Sequence, residues 1–168
     1  DLNAAVTGLT EKQAVDAGFD AITVVTASDS KAHYYPDSDT FITKLVADRS
    51  THRLLGAQII GAGAVDKMAD IAVVGITAEL RIDDFVTMDF AYAPPFSTAI
   101  HPFAVACSVL LNKINGKIET ITPAEYAKTH AKGYTIIDAH PAPTISGADW
   151  LDISKADKYK KDEKLLIV

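Results

Sequence analysis

The residues best equipped for chemistry lie in one stretch, 90–102, which holds three aromatic residues and three prolines between two apolar segments. Proline fixes φ and has no N–H donor, so Pro94 and Pro95 predict a stiff, extended loop rather than part of a helix or a central strand. Such a loop holds Tyr92 and Phe96 at low entropic cost, as the plug of an interface or as the wall of a site. On the residues alone, Tyr92 is more often a packed interface aromatic than a catalyst.

No other group of side chains makes a complete catalytic or metal site. The five histidines are scattered, with no i, i+4 pair among them, and no metal site is predicted. They are His33, His52, His101, His130 and His140. No Gly-x-Ser-x-Gly elbow presents Ser97 or Ser108 as a nucleophile. Cys107 lies on an apolar helical face and is predicted to be a buried, protonated core residue.

Two glycines, Gly61 and Gly63, stand between a predicted strand and a predicted helix, where a dinucleotide-binding fingerprint would lie. The third glycine of that fingerprint is replaced by Asp66, and a carboxylate at the helix start would repel a pyrophosphate. The two glycines are therefore interpreted as a tight turn before a helix.

Composition restricts the class of protein. The 168 residues are 48% hydrophobic and carry a formal charge of −6 without a basic stripe, so nucleic acid is not expected as a partner. No run of about 20 uncharged apolar residues predicts a membrane span, and the first residues do not resemble a signal peptide. We expect a cytoplasmic protein. The apolar run at 165–168 leads us to expect that the chain is cut from a longer one.

The elements that position the aromatic loop follow from periodicity and capping. A short helix is predicted over 9–18, with Thr10 as N-cap and Gln13 completing a capping box. Strands are predicted over 21–27, 40–48 and 54–60, the last two as a hairpin, and helices over 65–80 and 102–115. The helix over 65–80 has so wide an apolar arc that we expect a second cover, such as another subunit. Together these elements predict a compact α+β domain.

A composition shift near Lys117 marks the predicted boundary between two domains, 1–117 and 118–168. The second is predicted to hold a helix over 123–131 capped by Thr122, a strand over 134–138 and a final strand over 165–168. Strand, helix and loop in alternation predict the start of an α/β unit with parallel strands.

Several motifs of the first domain carry a resemblance to one family. They are Gly8-Leu9-Thr10-Glu11-Lys12-Gln13-Ala14, His33-Tyr34-Tyr35-Pro36, Leu54 to Gly61 with Val65-Asp66-Lys67, and Tyr92-Ala93-Pro94-Pro95-Phe96-Ser97. With these motifs, residues 1–117 resemble the C-terminal dimerisation domain of FAD-dependent pyridine nucleotide–disulfide oxidoreductases of the coenzyme A disulfide reductase and NADH oxidase type. The resemblance implies an antiparallel sheet with flanking helices.

The second domain resembles the first part of a rhodanese-like domain, through residues 121–126, 134–138 and Gly147-Ala148. Asp138-Ala139-His140 stands where that family usually has Asp-Val-Arg, and the loop that would carry a sulfur-transfer cysteine is not in the sequence. The resemblance implies a partial α/β rhodanese-like segment without sulfur-transfer activity of its own.

The first resemblance also implies functional roles. The family binds FAD and NAD(P)H on domains that precede this one. We therefore expect a homodimer in which upstream FAD- and NAD-binding domains hold the cofactors, while this chain alone binds neither and is inactive. Tyr92 and Tyr34 match two tyrosines that act at the partner subunit's site on a coenzyme A-type disulfide, with Tyr35 as the alternative to Tyr34. Pro94 and Phe96 are expected to face the flavin across the dimer.

Two other functions stay open on the sequence. One is a parent NADH oxidase or peroxidase that acts on O2 or peroxide, with the tyrosines serving only in packing. The other is a non-catalytic interaction module. An active-site role for Tyr92 requires that its side chain is not sealed inside its own subunit.

Overall fold

The computed structural model describes residues 2–129, 132–140 and 144–168. The chain divides into two compact units, Asp1–Thr120 and Ile121–Val168. His130, the predicted helix end near Ala131 and residues 141–143 lie outside the described residues. The domain boundary near Lys117 stays a prediction.

Unit 1 is built on a four-stranded antiparallel sheet with the strand order β1-β4-β3-β2. The strands are β1 (Leu2–Gly8), β2 (Ala21–Asp29), β3 (Thr40–Asp48) and β4 (Leu54–Ala62). The predicted hairpin of β3 and β4 is confirmed, with Thr43 opposite Ile59 and Leu45 opposite Ala57. Strand β1 was not predicted, and it forms the edge of the sheet beside β4.

Four helices accompany this sheet: α1 (Glu11–Asp16), α2 (Val65–Thr77), α3 (Ile82–Thr87) and α4 (Pro102–Ile114). The capping box of α1 is confirmed, because the Thr10 hydroxyl accepts from the Gln13 N–H and the Gln13 side chain accepts from the Thr10 N–H. Helix α2 ends three residues before the predicted position. Glu79 adopts a φ of 57°, and the Leu80 N–H then donates to the Gly75 carbonyl at 2.8 Å, which closes the helix.

The core of unit 1 lies between the sheet and the helices α2, α3 and α4. Helix α2 packs on β1 and β4, while α4 packs on β2 and β3. Phe85 of α3 meets Phe103 of α4 edge-to-face, with ring centroids 5.1 Å apart. Cys107 is fully buried in this core, as predicted, and burial raises the pKa of its thiol.

The wide apolar arc of α2 is only partly covered within unit 1. Its inner face is buried, while Val73 is 43% and Val74 63% exposed. Val74 borders a groove of about 540 Å³ whose apolar walls come from α2, α3 and the segments before and after α3. Those walls include Ile71, Leu80, Phe85, Met88 and Phe90. That a second subunit covers this exposed face of α2 stays a prediction.

Unit 2 contains the helix α5 (Pro123–Thr129), the strands β5 (Thr135–Asp138), β6 (Asp149–Trp150) and β7 (Leu165–Ile167), and a 3-10 helix (Ile153–Lys158). The predicted cap of α5 is present, because the Thr122 hydroxyl accepts from the Glu125 N–H at 3.2 Å. Both β6 and β7 pair with β5 in parallel, so the predicted parallel strands are confirmed. The chain is thus a mixed α and β protein with an antiparallel sheet and flanking helices in unit 1.

Candidate functional site

The loop that carries Tyr92 contains a hydrogen-bonded turn, which begins at the next residue, Ala93. The Ala93 carbonyl accepts from the Phe96 N–H at 2.9 Å and from the Ser97 N–H at 3.1 Å. The prediction that Pro94 and Pro95 lie outside helix and strand is confirmed, but both lie in this turn and not in an extended chain, because the φ near −65° that proline imposes suits either form. Tyr92 is 52% and Phe96 77% exposed, so the turn presents both rings to the outside.

A second turn, after β2, carries Tyr34. The Tyr35 N–H donates to the Ala32 carbonyl at 3.0 Å, and the Ser38 N–H donates to the Tyr35 carbonyl at 3.0 Å. Tyr34 is 66% exposed and its ring centroid lies 5.2 Å from that of Tyr35, which is partly buried. This geometry makes Tyr34 the more accessible phenol of the pair.

The two turns are neighbours in space although about 60 residues separate them in the chain. The Ala32 N–H donates to the Pro94 carbonyl at 3.4 Å, and both turns border the same cleft. Neither the Tyr34 hydroxyl nor the Tyr92 hydroxyl has a hydrogen-bond partner among the described residues. Unit 1 therefore presents two unpaired phenols from two adjoining loops.

The cleft has a volume of about 310 Å³, and His101 is one of its polar lining residues. The His101 ring stacks on Phe90 with centroids 4.5 Å apart, and its Nδ1 accepts from the Phe103 N–H at 3.2 Å, which caps α4. Burial, and then the nearby Lys67 ammonium, lowers the pKa of His101 to about 4, so the imidazole is neutral near pH 7. The sequence contains one signal for the capping role of His101, since it precedes Pro102, a residue suited to the first position of a helix.

The glycine turn between β4 and α2 forms another wall of the cleft. Gly63 has a φ of 102°, and the Val65 N–H donates to its carbonyl at 2.9 Å. The interpretation as a tight turn before a helix is confirmed for Gly63, whereas Gly61 lies in β4, where it pairs with Asn3 and Phe41. Within residues 2–129, 132–140 and 144–168, no group of three or more His, Cys, Asp or Glu side chains is placed to hold a metal ion.

None of the helices in the described part of the chain has both the length and the apolar character that crossing a bilayer requires.

With the antiparallel sheet, its helices and the two exposed tyrosine turns, the first 104 residues match the family described as pyridine nucleotide-disulphide oxidoreductase, dimerisation domain. The match covers residues 1–104, more than half of the chain, and the chain belongs to this family. It carries the dimerisation domain of a pyridine nucleotide-disulphide oxidoreductase, as the sequence motifs indicated.

Similar proteins come from archaea and bacteria. An NAD(P)H sulfur oxidoreductase (CoA-dependent) of Pyrococcus furiosus is 41% identical over 110 residues, which is 66% of this chain and 25% of that protein. The chain spans about a quarter of the length of the curated relatives it matches.

Two solved structures align with nearly the whole chain. A NAD-dependent persulfide reductase from A. fulgidus is 31% identical with a TM-score of 0.88, covering 100% of this chain and 32% of that one. Reduced Bacillus anthracis CoADR-RHD is 26% identical with a TM-score of 0.89, covering 99% of this chain and 32% of that one.

Proposed function

We propose that this chain completes the active site of a dimeric flavoprotein that uses NAD(P)H to reduce disulfides of the coenzyme A type. The observation that carries the proposal is the pair of exposed, unpaired phenols, Tyr34 and Tyr92, on turns joined by the Ala32–Pro94 hydrogen bond. The P. furiosus relative is CoA-dependent by name, which favours a coenzyme A-type thiol as product.

A tyrosine can serve as the proton donor in this reaction. Reduction of R–S–S–R by NAD(P)H supplies two electrons and yields two thiols, so a proton must reach each sulfur that leaves as thiolate. A phenol with an ordinary pKa of about 10 is protonated at neutral pH, and a thiol has an ordinary pKa of about 8.5. Tyr92 and Tyr34 would donate a hydrogen bond or a proton to the leaving sulfur, with Tyr35 as the alternative to Tyr34.

The loop around Tyr92 also fits a flavin at its edge. The family is FAD- and NAD(P)H-dependent, and FAD would carry the electrons from the nicotinamide to the disulfide. Phe96 is 77% exposed and Pro94 is partly exposed, so the turn offers apolar surface to a flat ring held by another domain. We assign FAD and NAD(P)H to upstream domains and propose that Pro94 and Phe96 face the flavin across the dimer.

The partner in this proposal is a second copy of the chain. Val73 and Val74 leave one side of α2 apolar and exposed. The groove beside Val74 is lined mainly by apolar side chains, together with Asp66, Lys67 and Asp70. Obligate dimers bury large apolar surfaces of this kind. In this proposal the tyrosine-bearing loops of one subunit reach the active site of the other.

For unit 2 we propose a partial rhodanese-like segment without sulfur-transfer activity of its own. Its three parallel strands in the order β6-β5-β7 support an α/β unit. The two structures that align over 99% and 100% of the chain match this unit as well as unit 1.

The experiment that tests the function uses the complete flavoprotein that contains this chain, with Tyr92→Phe as the variant. Loss of the proton donor is expected to lower the rate of NADH-dependent coenzyme A disulfide reduction by about tenfold to a hundredfold, while the flavin is still reduced by NADH. The control is Tyr134→Phe, which removes a phenol from unit 2 and should leave the rate unchanged.

Three outcomes would contradict the proposal. Unchanged disulfide reduction in Tyr92→Phe would remove the acid role. Rapid NADH-dependent consumption of O2 or peroxide, without disulfide reduction by the parent enzyme, would favour the oxidase or peroxidase. A protein that never binds FAD would favour a non-catalytic interaction module.

A further inference from the structure

The cleft that borders the loop of Tyr92 contains polar side chains to which the proposed disulfide reduction assigns no role. Two nearly buried side chains line it, Ser97 with 2% and His101 with 6% of its surface exposed. Neither the Ser97 hydroxyl nor His101 Nε2 has a hydrogen-bond partner among the described residues. Because no fully enclosed side-chain N or O atom of the described residues lacks a partner, both groups must reach the open space of the cleft.

His101 is fixed as a donor toward that space. Its Nδ1 accepts the Phe103 N–H at 3.2 Å, so in the neutral imidazole the hydrogen lies on Nε2. The lowered pKa of His101 agrees with a neutral ring at pH 7. Ser97 contributes a hydroxyl that rotates to donate, and the cleft therefore offers two aimed donors from buried positions.

The charges around the cleft favour an anion. Lys67 lines the cleft and forms no ion pair with the described residues, whereas Lys31 is paired with Asp37 at 2.7 Å. The lining thus carries two lysines against one aspartate. The first turn of the 13-residue helix α2 also borders the cleft, but the Asp66 carboxylate in that turn offsets the positive end of the helix. The attraction for an anion therefore comes from the lysine side chains of the lining.

We propose that this cleft binds a phosphate group, with Lys67, Ser97 and His101 as its donors. A phosphate has several acceptor oxygens, which match the ammonium, the hydroxyl and the imidazole N–H that line the cleft. The volume of about 310 Å³ lies at the small end of ligand sites, which run from roughly 300 to 1,000 Å³, and it has room for a substituent on the phosphate. The exposed ring of Phe96 stands at the same cleft.

The phosphate group has two sources, the free ion or a phosphate ester, and calorimetry separates them. The 168-residue chain is titrated at pH 7 in phosphate-free buffer with sodium phosphate and, separately, with adenosine monophosphate. One saturable site is expected. Tighter binding of the nucleotide assigns the site to a phosphate ester, and equal or tighter binding of the ion assigns it to free phosphate.

Variants place the binding in the cleft. Lys67→Ala and Ser97→Ala are each expected to weaken binding about tenfold or more, since each removes a hydrogen bond to a charged group. The matched control is Lys12→Ala, which removes the same charge from a side chain that is 83% exposed on α1 and should change affinity less than about twofold. Lys67→Arg keeps the charge and should restore most of the binding.

A second measurement does not depend on the folding of a variant. The ¹⁵N NMR signal of His101 Nε2 in the unmodified chain should shift on addition of sodium phosphate, with the same saturation curve as the heat. Absence of saturable binding by both probes, equal weakening in Lys67→Ala and Lys12→Ala, or an unmoved His101 signal would overturn the proposal. None of these readouts requires FAD or disulfide reduction, so the outcome is independent of the proposed reductase function.

Discussion

The N–H of Ala32 donates to the carbonyl of Pro94 at 3.4 Å and thereby joins the turn that carries Tyr34 to the turn that carries Tyr92. Both turns also border one cleft, with Asp37 on one side and Phe96 on the other. The loops that carry the two tyrosines therefore adjoin on the surface of unit 1.

This relationship predicts non-additive kinetics in the complete flavoprotein. If Tyr34 and Tyr92 serve one leaving sulfur, the double variant with both changed to Phe should lose less activity than the product of the two single losses. The measurement is kcat/KM for coenzyme A disulfide in a double-mutant cycle. Tyr92→Phe combined with Tyr134→Phe serves as the control cycle, and it should be additive. Additivity in both cycles would show that Tyr34 and Tyr92 act independently.

Helix α2 is predicted to lie in the dimer contact. Val74→Glu places a charge on an apolar side chain that is 63% exposed, and burial of that charge against a partner should weaken dimerisation by about tenfold or more. Sedimentation velocity over a concentration series measures the effect. Val15→Glu makes the same change at a 57% exposed position of α1 and should leave the dimer intact. Equal behaviour of the two variants would place the contact elsewhere.

Replacement of Gly75 in α2 by alanine is predicted to lower the stability of unit 1. Alanine is normally better than glycine inside a helix by about 0.5–1 kcal/mol. Here a Cβ at Gly75 would overlap the Phe85 ring, so Gly75→Ala should instead destabilise unit 1 by roughly 1–3 kcal/mol. Urea unfolding followed by circular dichroism measures the change. Gly116→Ala, at a φ of 66° with open space around it, isolates the cost of backbone strain alone, about 1 kcal/mol.

His101 predicts a pH dependence of stability. Its pKa is lowered to about 4 in the fold, chiefly by burial, from an ordinary value of 6.5, so the unfolded chain binds the proton more readily. The contribution of the neutral ring is fully present above about pH 6.5 and is lost as the pH falls toward 4, by up to about 3 kcal/mol. His101→Asn keeps an acceptor for the Phe103 N–H without titrating in this range.

The check is urea unfolding of the original chain and of His101→Asn between pH 7 and pH 4.5. The stability difference between the two should shrink or reverse in acid. A constant difference would mean that the imidazole is not held neutral by its surroundings.

In unit 2, Asp138 is predicted to order the loop that follows β5. Its carboxylate accepts from the backbone N–H groups of Thr144 and Ile145 at 2.6 and 3.0 Å, and from that of His140 at 3.0 Å. These bonds, that of Thr144 foremost, lower the pKa of Asp138 to about 2. The stabilisation is therefore present above about pH 4 and is lost as the pH falls toward 2.

Asp138→Asn puts an amide N–H2 against those donors, and amide hydrogen exchange at Thr144 and Ile145 should become faster while exchange in the strands of unit 1 stays unchanged. Asp149→Asn is the control. Asp149 is exposed, and its carboxylate accepts hydrogen bonds from the side chains of Lys158 and Tyr159 and not from backbone N–H groups. Unaltered protection at Thr144 in Asp138→Asn would refute the ordering role.

The sequence predicts helices that carry their own capping residues and strands that pair with the next strand along the chain. Thr10 and Pro102 mark helix starts by local chemistry, and β3 and β4 are joined by a polar turn. Strand β1 escaped prediction because its small residues give a weak pattern, and its register is set by pairing with β4, about 50 residues away. Helix α3 has only six residues, too few for a helical period to show.

The candidate site was predictable in its parts and not in its assembly. The sequence pointed to Tyr34 and Tyr92 through two separate motifs, while the hydrogen bond between Ala32 and Pro94 depends on the tertiary fold. The sequence does not distinguish His101 from the other scattered histidines. Lys67 comes close to it only when α2 and α4 pack on the same sheet, so its surroundings depend on the tertiary fold.

The sealed position of Cys107 has a practical consequence for redox work on the parent enzyme. A thiol that is wholly enclosed by α4 and its neighbours, and whose pKa is raised, reacts neither with disulfides nor with alkylating reagents while the fold is intact. Any sulfhydryl counted by Ellman's reagent under native conditions must therefore be assigned outside residues 1–168, and Cys107 becomes visible only after denaturation, as an internal standard for complete unfolding.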